Sequence, residues 1–584
     1  MVLFPRDRNA PGAGAARPGV LPNFHDLAVF ALLLALGVLL LHGAADMRAP
    51  LPPPGTAAVS LDLRQLPEYG LRTTLRMFAA MAASLLFTFV VATLAAKSRR
   101  AERLIVPALD ILQSVPVLGF LTFTVTFFLG LFPGRQVGAE LASIFAIFTS
   151  QAWNMAYSFY QSLRSVPRDL DEVARGFGLS PWQRFWRLEA PYATPALIWN
   201  MMMSMSGGWF FVVASEAITV GDHTLELPGI GSYLALAIAQ RDFAAVGWAV
   251  LAMGVLIVLY DQLLFRPIVA WSDKFRAELT ASQDKPQSWL YDLLRRTRLA
   301  KRAVAPLAWV WQRALLLRWT PRQARPAPAA VQGDRGNVWG DRLWSAALAI
   351  AAAAAAWFAI DYGRRHLGLH DLAEAFGGGL ATLARVVVLI ALASVVWVPI
   401  GVWIGLRPKV AQRVQPLAQF LAAFPANVLF PFAVLAIVAT GANPNIWLSP
   451  LMVLGTQWYI LFNVIAGASA FPTDLREAAT VYQLRSWTWW RRVILPGIFP
   501  YYITGALTAS GGSWNASIVA ELANWGDTQV QAYGLGSYIA RATAAGDGAR
   551  VLLGVAVMSL FVTFFNRAVW RRLYAFAERR LRFD

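Results

Sequence analysis

Residues 386–405 read VVVLIALASVVWVPIGVWIG, twenty positions without one charged side chain. A helix needs about 20 apolar residues to cross the hydrocarbon core of a bilayer. Inside that core the backbone must satisfy its own N–H and C=O groups, so a run of this length selects helix. It is one of twelve such runs. Those of the first half lie at roughly 26–43, 71–95, 105–132, 139–163, 192–218 and 245–265. Those of the second lie at roughly 343–360, 381–405, 414–440, 447–468, 500–521 and 551–570. The 584 residues are 57% hydrophobic and 14% charged, which is too apolar for a soluble chain of this size. The fold class expected is an all-α polytopic membrane protein.

The chain carries a net charge of +18. In a soluble protein that charge points to nucleic acid. Here the Lys and Arg fall between apolar runs, at the N-terminus, 97–103, 164–190, 273–342, 407–413, 471–495 and the C-terminal tail. Placing both termini in the cytoplasm puts every one of these segments on that side, as the positive-inside rule requires. A nucleic-acid role is therefore set aside. So is a cleaved leader at 26–43, because the second half opens on an equivalent run. Residues 273–342 read as a basic cytoplasmic linker, with an interfacial helix around Trp289–Trp319. There are no cysteines, which excludes disulfides, thiolate metal sites and cysteine nucleophiles. Of the five His, only His366 and His370 stand at H-x-x-x-H spacing, and the others are scattered.

The halves repeat one another. At an offset of 305, Trp153, Pro167, Glu172, Arg187, Pro191, Gly207, Trp209 and Glu216 meet Trp458, Pro472, Glu477, Arg492, Pro496, Gly512, Trp514 and Glu521. The stretch Gly229–Tyr233 meets Gly534–Tyr538 at the same offset. Upstream the offset is 309, where Thr73, Arg76, Pro107 and Pro116 meet Thr382, Arg385, Pro416 and Pro425. Six spans per copy set both copies the same way up. This predicts a parallel repeat with a pseudo-twofold axis along the membrane normal and a pathway between the halves. The units are 1–272 and 343–584, joined by 273–342.

Two charged, turn-broken segments sit in matching cytoplasmic loops: EVARGFGLSPWQRFWRLEAP at 172–191 and EAATVYQLRSWTWWRRVILP at 477–496. In the first, a short helix passes through Glu172 and Ala174 and ends at Gly176 and Gly178. Ser180, Pro181 and Gln183 then form a capping box that starts a second helix, expected to stop at Ala190 before Pro191. One such loop alone reads better as a helix lying on lipid headgroups. Two in symmetric positions favour a pair of plugs that dock into a symmetric pair of partner sites.

The two segments resemble the EAA loop of permease subunits of bacterial ABC importers, whose pattern is Glu-Ala-Ala, three residues, Gly, nine residues, Ile, any residue, Leu-Pro. The first copy gives Glu172, Val173, Ala174, Gly178, Leu188, Ala190 and Pro191; the second gives Glu477, Ala478, Ala479, Gln483, Val493, Leu495 and Pro496. Gln483 is the departure with most physical content. A left-handed turn there suits glycine, so the second loop is expected to bend differently and the two partner contacts to be unequal. SVPRDLDEVA, GIGSY and GLGSY are similar to the nitrate/sulfonate/taurine branch. The resemblance implies a type I ABC importer-like fold and a small solute, usually an anion. It also implies two separate ATPase subunits, which hold the ATP and Mg, and an external solute-binding protein, at a bacterial cytoplasmic (inner) membrane. No G-x-x-x-x-G-K-[ST] loop occurs in this chain, so no catalytic residue and no cofactor of its own is expected. The ATPase-coupling residues it implies are Glu172, Ala174, Gly178, Trp182, Phe185, Trp186 and Pro191, with Glu477, Ala478, Ala479, Trp487, Trp490 and Pro496.

Polar and aromatic groups within spans are candidates for the pathway, because lipid tolerates them poorly. These are Asn154, Asn200, Ser204, Trp209 and Glu216, then Asn463, Trp514, Asn515 and Glu521. For each, helix–helix hydrogen bonding is the plainer role. Arg76 and Arg385 sit where they can pair with Glu216 and Glu521, as a salt bridge or as an outer gate or anion contact. The rival class is an ion-gradient-driven secondary transporter, which also shows parallel six-span repeats but gives no reason for paired EAA-spaced loops.

Overall fold

The computed structural model describes residues 59–113, 115–220, 223–275, 288–316, 338–469, 471, 473–484 and 486–580. Among these, seven helices are long and apolar enough to cross a membrane, or nine if each of two bent pairs is one span. The seven are Leu63–Lys97, Pro181–Glu216, Phe243–Phe275, Arg342–His366, Leu369–Gly405, Ser486–Ala520 and Gly548–Ala577. The bent pairs, at 76° and 44°, are Leu417–Ala423 with Ala426–Thr440 and Pro444–Leu454 with Gln457–Ser469. The runs expected at 105–132 and 139–163 are the helices Arg99–Leu112, Leu121–Leu131 and Gln136–Arg164. The leading run 26–43 lies outside the described residues.

The breaks in the third spans have one cause. Pro116 and Pro425 sit in extended conformation (ψ 120° and 117°) at the start of a new helical turn. A proline gives no N–H and pushes the residue before it out of the helical region. The first N–H after such a break needs an acceptor, since lipid offers none. Asn515 Oδ1, reaching over from the other half, accepts the Val117 N–H at 2.8 Å.

Pro191 does not end its helix. One wide turn, Phe185–Glu189, carries the chain through, with the Ala190 N–H donating to the carbonyl of Phe185 five residues back. The second half repeats it at Trp490–Ile494, where Leu495 donates to Trp490. The widened turn shifts the register next to a residue with no N–H and a ring that crowds the preceding carbonyls. The expected short helix and the fifth span therefore form one rod, Pro181–Glu216, of 36 residues. At 1.5 Å per residue it is about 54 Å long, well beyond the roughly 30 Å of hydrocarbon.

The fold is not purely helical. Each rod ends in an antiparallel hairpin: β1 (Ala217–Val220) with β2 (His223–Glu226), and β3 (Leu522–Trp525) with β4 (Thr528–Gln531). A Gly-Asp pair follows β1 and β3 in sequence, and Gly526 takes φ +58°, as a two-residue hairpin turn demands. Each hairpin packs on its own half and also reaches the other: β3 touches the helix Ile230–Ala239 and β1 touches Leu535–Ala544. The Gly526 N–H donates to Ile238 O at 3.1 Å, and the Trp525 ring lies 4.6 Å from that of Phe243.

The chain carries two Ser-Gly-Gly stretches within its rods, Ser206–Gly208 and Ser510–Gly512, and close packing explains most of their glycines. A β-carbon on Gly208 would meet Gln151 and Met77, and one on Gly512 would meet Thr456. One on Gly207 would meet the Tyr459 hydroxyl of the other half at 2.8 Å. A β-carbon on Gly511 would meet nothing within 4 Å. The linker region expected as one helix over 289–319 is two, Trp289–Arg296 and Arg298–Leu316, parted at Thr297.

Candidate functional site

Each rod has a candidate coupling segment at one end and a buried ionic knot at the other. The first segment begins with the helix Arg168–Gly176 and turns through Gly178 at φ +67°. Ser180 and Gln183 then cap the rod in the reciprocal box that the sequence predicts. The second passes likewise through Thr473–Val481 and a turn at Gln483, then enters its helix at Ser486 with that residue itself at φ +52°. The turn hydrogen bonds match one for one at the 305 offset. Phe177 donates to Val173, Gly178 to Arg175 and Leu179 to Ala174; Tyr482 donates to Ala478, Gln483 to Thr480 and Leu484 to Ala479.

Gln483 thus adopts the left-handed conformation that glycine holds in the first copy, at φ +52°. At Gln483 itself the bend is that of the first copy, because the same hydrogen bonds fix the turn. The different bend expected of the second loop comes three residues on, where Ser486, matching Pro181, takes φ +52°, which a proline ring forbids. A further asymmetry lies in the ion pairs. Asp171 binds Arg175 at 2.7 Å and Arg184 Nη1 at 2.8 Å, pinning the short helix to the rod. Burial pushes the Asp171 carboxyl up, but the hydrogen bonds and charges of Arg175 and Arg184 outweigh it and hold the group below the usual carboxylate range. The matching positions are Arg476 and Trp489, which cannot form this pin.

The aromatic side expected to be free is largely covered in the first copy. Phe185 is buried, Trp182 and Trp186 are half-buried, and Ala174 is packed inward. Glu172 is exposed and Pro191 half-buried. In the second copy Glu477 and Trp487 are exposed, Ala478, Trp490 and Pro496 are half-buried, and Ala479 is buried. Two aromatics of the turns, Phe177 and Tyr482, are 81% and 78% exposed. They occupy matching positions, and the family pattern leaves them unspecified. Their signal in the sequence is an aromatic at one place in both copies.

At the far end of the first rod, Glu216 is tied to Arg76. Arg76 Nη1 donates to Glu216 Oε1 at 2.7 Å, and its Nε and Nη2 grip Glu140 at 2.5 and 2.7 Å. Thr73 Oγ1 and the Gly231 N–H also donate to Glu216, each at 2.7 Å. The second copy keeps the plan. Arg385 Nη1 and Thr382 Oγ1 donate to Glu521 at 2.8 Å, and the Ser537 N–H donates to it at 3.2 Å. The Arg–Glu pairing expected from the repeat is present in both halves. Gly229 and Gly534 lie so close to these carboxylates that a β-carbon would overlap them, which accounts for a glycine at both positions. One exchange separates the knots: Asn445, at the position matching Glu140, accepts from Arg385 Nη2 at 3.0 Å. The first knot holds one guanidinium and two carboxylates; the second holds one of each.

The remaining candidate pathway residues are scattered. Asn200 donates to Ser158 at 2.7 Å across two helices, and Asn463 donates to Tyr459 O on its own helix at 2.8 Å. Trp209 is buried edge-on to Tyr260, Trp514 is buried against Phe561, and Ser204 is buried. Asn154 is exposed, and Asn515 bridges the halves.

A family profile described as "Binding-protein-dependent transport system inner membrane component" matches the chain twice, over residues 75–266 and 397–582. The chain is 28% identical over 189 residues to the nitrate import permease protein NrtB of Leptolyngbya laminosa, covering 32% of this chain and 64% of that protein. It is 29% identical over 144 residues to the bicarbonate transport system permease protein CmpB of Synechococcus elongatus, covering 24% and 50%. It is also 28% identical over 185 residues to the glycine betaine/carnitine transport permease protein GbuB of Listeria monocytogenes, covering 31% and 58%. The alignments thus span about half to two thirds of these curated relatives' length.

Proposed function

The chain belongs to the family of inner membrane components of binding-protein-dependent transport systems, and from that premise we propose that it is the permease of an ATP-driven ABC importer, two permease units fused in one chain. Units 1–272 and 343–584 each contribute six spans, related by a pseudo-twofold axis along the membrane normal, with both termini in the cytoplasm. The observation that carries this reading is the pair of coupling segments, whose turn hydrogen bonds repeat one for one at the 305 offset. The reciprocal hairpin contacts support the axis.

Two ATPase subunits, which hold the ATP and Mg, dock on Glu172, Phe177 and the rest of the first segment, and on Glu477, Tyr482, Trp487 and the rest of the second. Each docking movement is passed along a rod. A segment at its cytoplasmic end and a knot at its outer end sit on one continuous helix, so a tilt at Pro181 or Ser486 displaces Glu216 or Glu521. Those knots hold the outer layer, where an external solute-binding protein delivers its cargo. The halves then rock between outward and inward openings. The cargo proposed is a small anion, which the nitrate and bicarbonate relatives support. The gradient-driven alternative relies on titratable groups free to face a path, whereas Glu216 and Glu521 are bound to Arg76 and Arg385.

The test is Glu172→Lys with Glu477→Lys. The variant inserts normally but loses ATPase co-purification and ATP-dependent uptake. Retention of both would refute the docking assignment. Native mass measurement gives one chain per two ATPases; two chains per complex would refute the fused-permease reading. The cargo is read by titrating nitrate, bicarbonate, taurine and glycine betaine onto the solute-binding protein.

A further inference from the structure

The linker helix Arg298–Leu316 lies on the first coupling segment. Trp182 Nε1–H donates to Ala314 O at 3.1 Å, and the Trp186 ring meets Trp311 edge-on at 4.8 Å. Leu315, next to these contacts, is 2% exposed. The preceding linker helix, Trp289–Arg296, packs on Arg266–Ser272 at the end of the sixth span. The two linker helices meet at Thr297, which is buried and whose hydroxyl donates to Leu293 O. Loop, linker and sixth span thus form a closed strut.

The matching face of the second copy is built differently. Trp487, in the place of Trp182, is 69% exposed, and Arg491 stands where Trp186 does. An Arg there cannot give the edge-on ring contact that Trp186 gives.

We propose that the linker helix Arg298–Leu316 is a working part of the first ATPase-docking face, bracing the Pro181 end of the rod, so that one ATPase meets a composite of loop and linker and the other meets a loop alone. This rests on the permease reading above. The brace stops the coupling helix from tilting on its own, so that docking displaces the whole rod. At the second face, Trp487 is left for the ATPase itself to cover. Trp311 acts here as a positioning residue: it holds Trp186 and touches no ATPase.

The test uses the full chain in nanodiscs, titrated with the ATPase subunit that co-purifies with it. Affinity and chain-stimulated ATP hydrolysis are both measured. An edge-on ring pair predicts that Trp311→Ala weakens the ATPase about two- to tenfold. Trp357 is exposed on the span Arg342–His366, away from both coupling segments, so Trp357→Ala should leave both readouts unchanged. Adding Trp311→Ala to Trp186→Ala should cost nothing further, because the pair acts as a unit, whereas with Trp487→Ala the effects should add. If Trp186→Ala fails to accumulate, Trp182→Phe replaces it, since it keeps a ring and removes only the donor to Ala314. Wild-type affinity and hydrolysis in Trp311→Ala, or full additivity with Trp186→Ala or Trp182→Phe, overturns the proposal. If no ATPase co-purifies with the unaltered chain, the permease reading fails instead.

Discussion

Replacing the two knot arginines with leucine separates the knots by energy. Arg76, Glu140 and Glu216 are all 3% exposed or less, and Arg76 is shared by both carboxylates. Removing one member of a buried pair costs about 3–5 kcal/mol, mostly because a charge is left buried without its partner. Arg385→Leu strands one carboxylate, Glu521, which keeps its hydrogen bonds from Thr382 and Ser537. Its cost is therefore about 3–5 kcal/mol. Arg76→Leu strands two carboxylates in one pocket, and their mutual repulsion adds to the desolvation penalty. That cost approaches twice as much, comparable to the whole 5–15 kcal/mol that holds a typical domain folded. Membrane yield and thermal unfolding in detergent read the difference. Arg385→Leu should accumulate with a lowered transition temperature, and Arg76→Leu should fail to accumulate. Glu140→Asn, which copies the second knot, should be mild alone and should restore Arg76→Leu to the level of Arg385→Leu. Equal loss in the two arginine variants, or no rescue by Glu140→Asn, would refute the electrostatic account.

Three further outcomes follow from single contacts. Gln483→Gly relieves a left-handed residue and should stabilise the chain by about 0.5–1 kcal/mol in thermal unfolding; a destabilised variant would mean that the Gln side chain contributes contacts exceeding the strain. Because Asp171 is held below the usual range, its contribution is complete above the unfolded value of about 4 and is lost as pH falls through the lowered value. Proteolysis within 168–184 should therefore be flat between about pH 5 and 8 and rise only in stronger acid, and Asp171→Asn should be cut readily throughout. Asn515→Leu leaves the Val117 N–H without its acceptor and should lower stability by about 1–3 kcal/mol, with Asn515→Asp retaining most of it; an unaffected Asn515→Leu would show that water or another group caps the break.

Legibility followed the range of the interactions. The apolar runs, the Ser180–Gln183 capping box and the turn at Gly178 are set by residues within a few positions; the box and the turn stand where the sequence puts them, and seven to nine of the runs are spans among the described residues. The 305 offset also made the Arg76–Glu216 and Arg385–Glu521 pairs visible, because two copies of one pattern expose distant partners that one copy hides. Pro191 misled for a local reason: the rule that proline ends a helix assumes uniform four-residue hydrogen bonding, and one widened turn escapes it. The hairpins were passed over although Gly-Asp follows both β1 and β3, since hydropathy dominates the reading of such a chain.

What the sequence alone determined is the membrane-spanning helical class, the duplication and the two matching turn-broken loop segments, because apolar length, repeat offset and cap spacing are properties of the chain itself. Only the tertiary structure decided that rod and loop helix are one piece, that Asn515 closes a break in the other half, that each hairpin also reaches a helix of the other half, and that the linker covers Trp182 and Trp186 but not Trp487. Each of those depends on groups far apart in sequence meeting in a medium that leaves no backbone donor or buried charge unpaired without a large penalty.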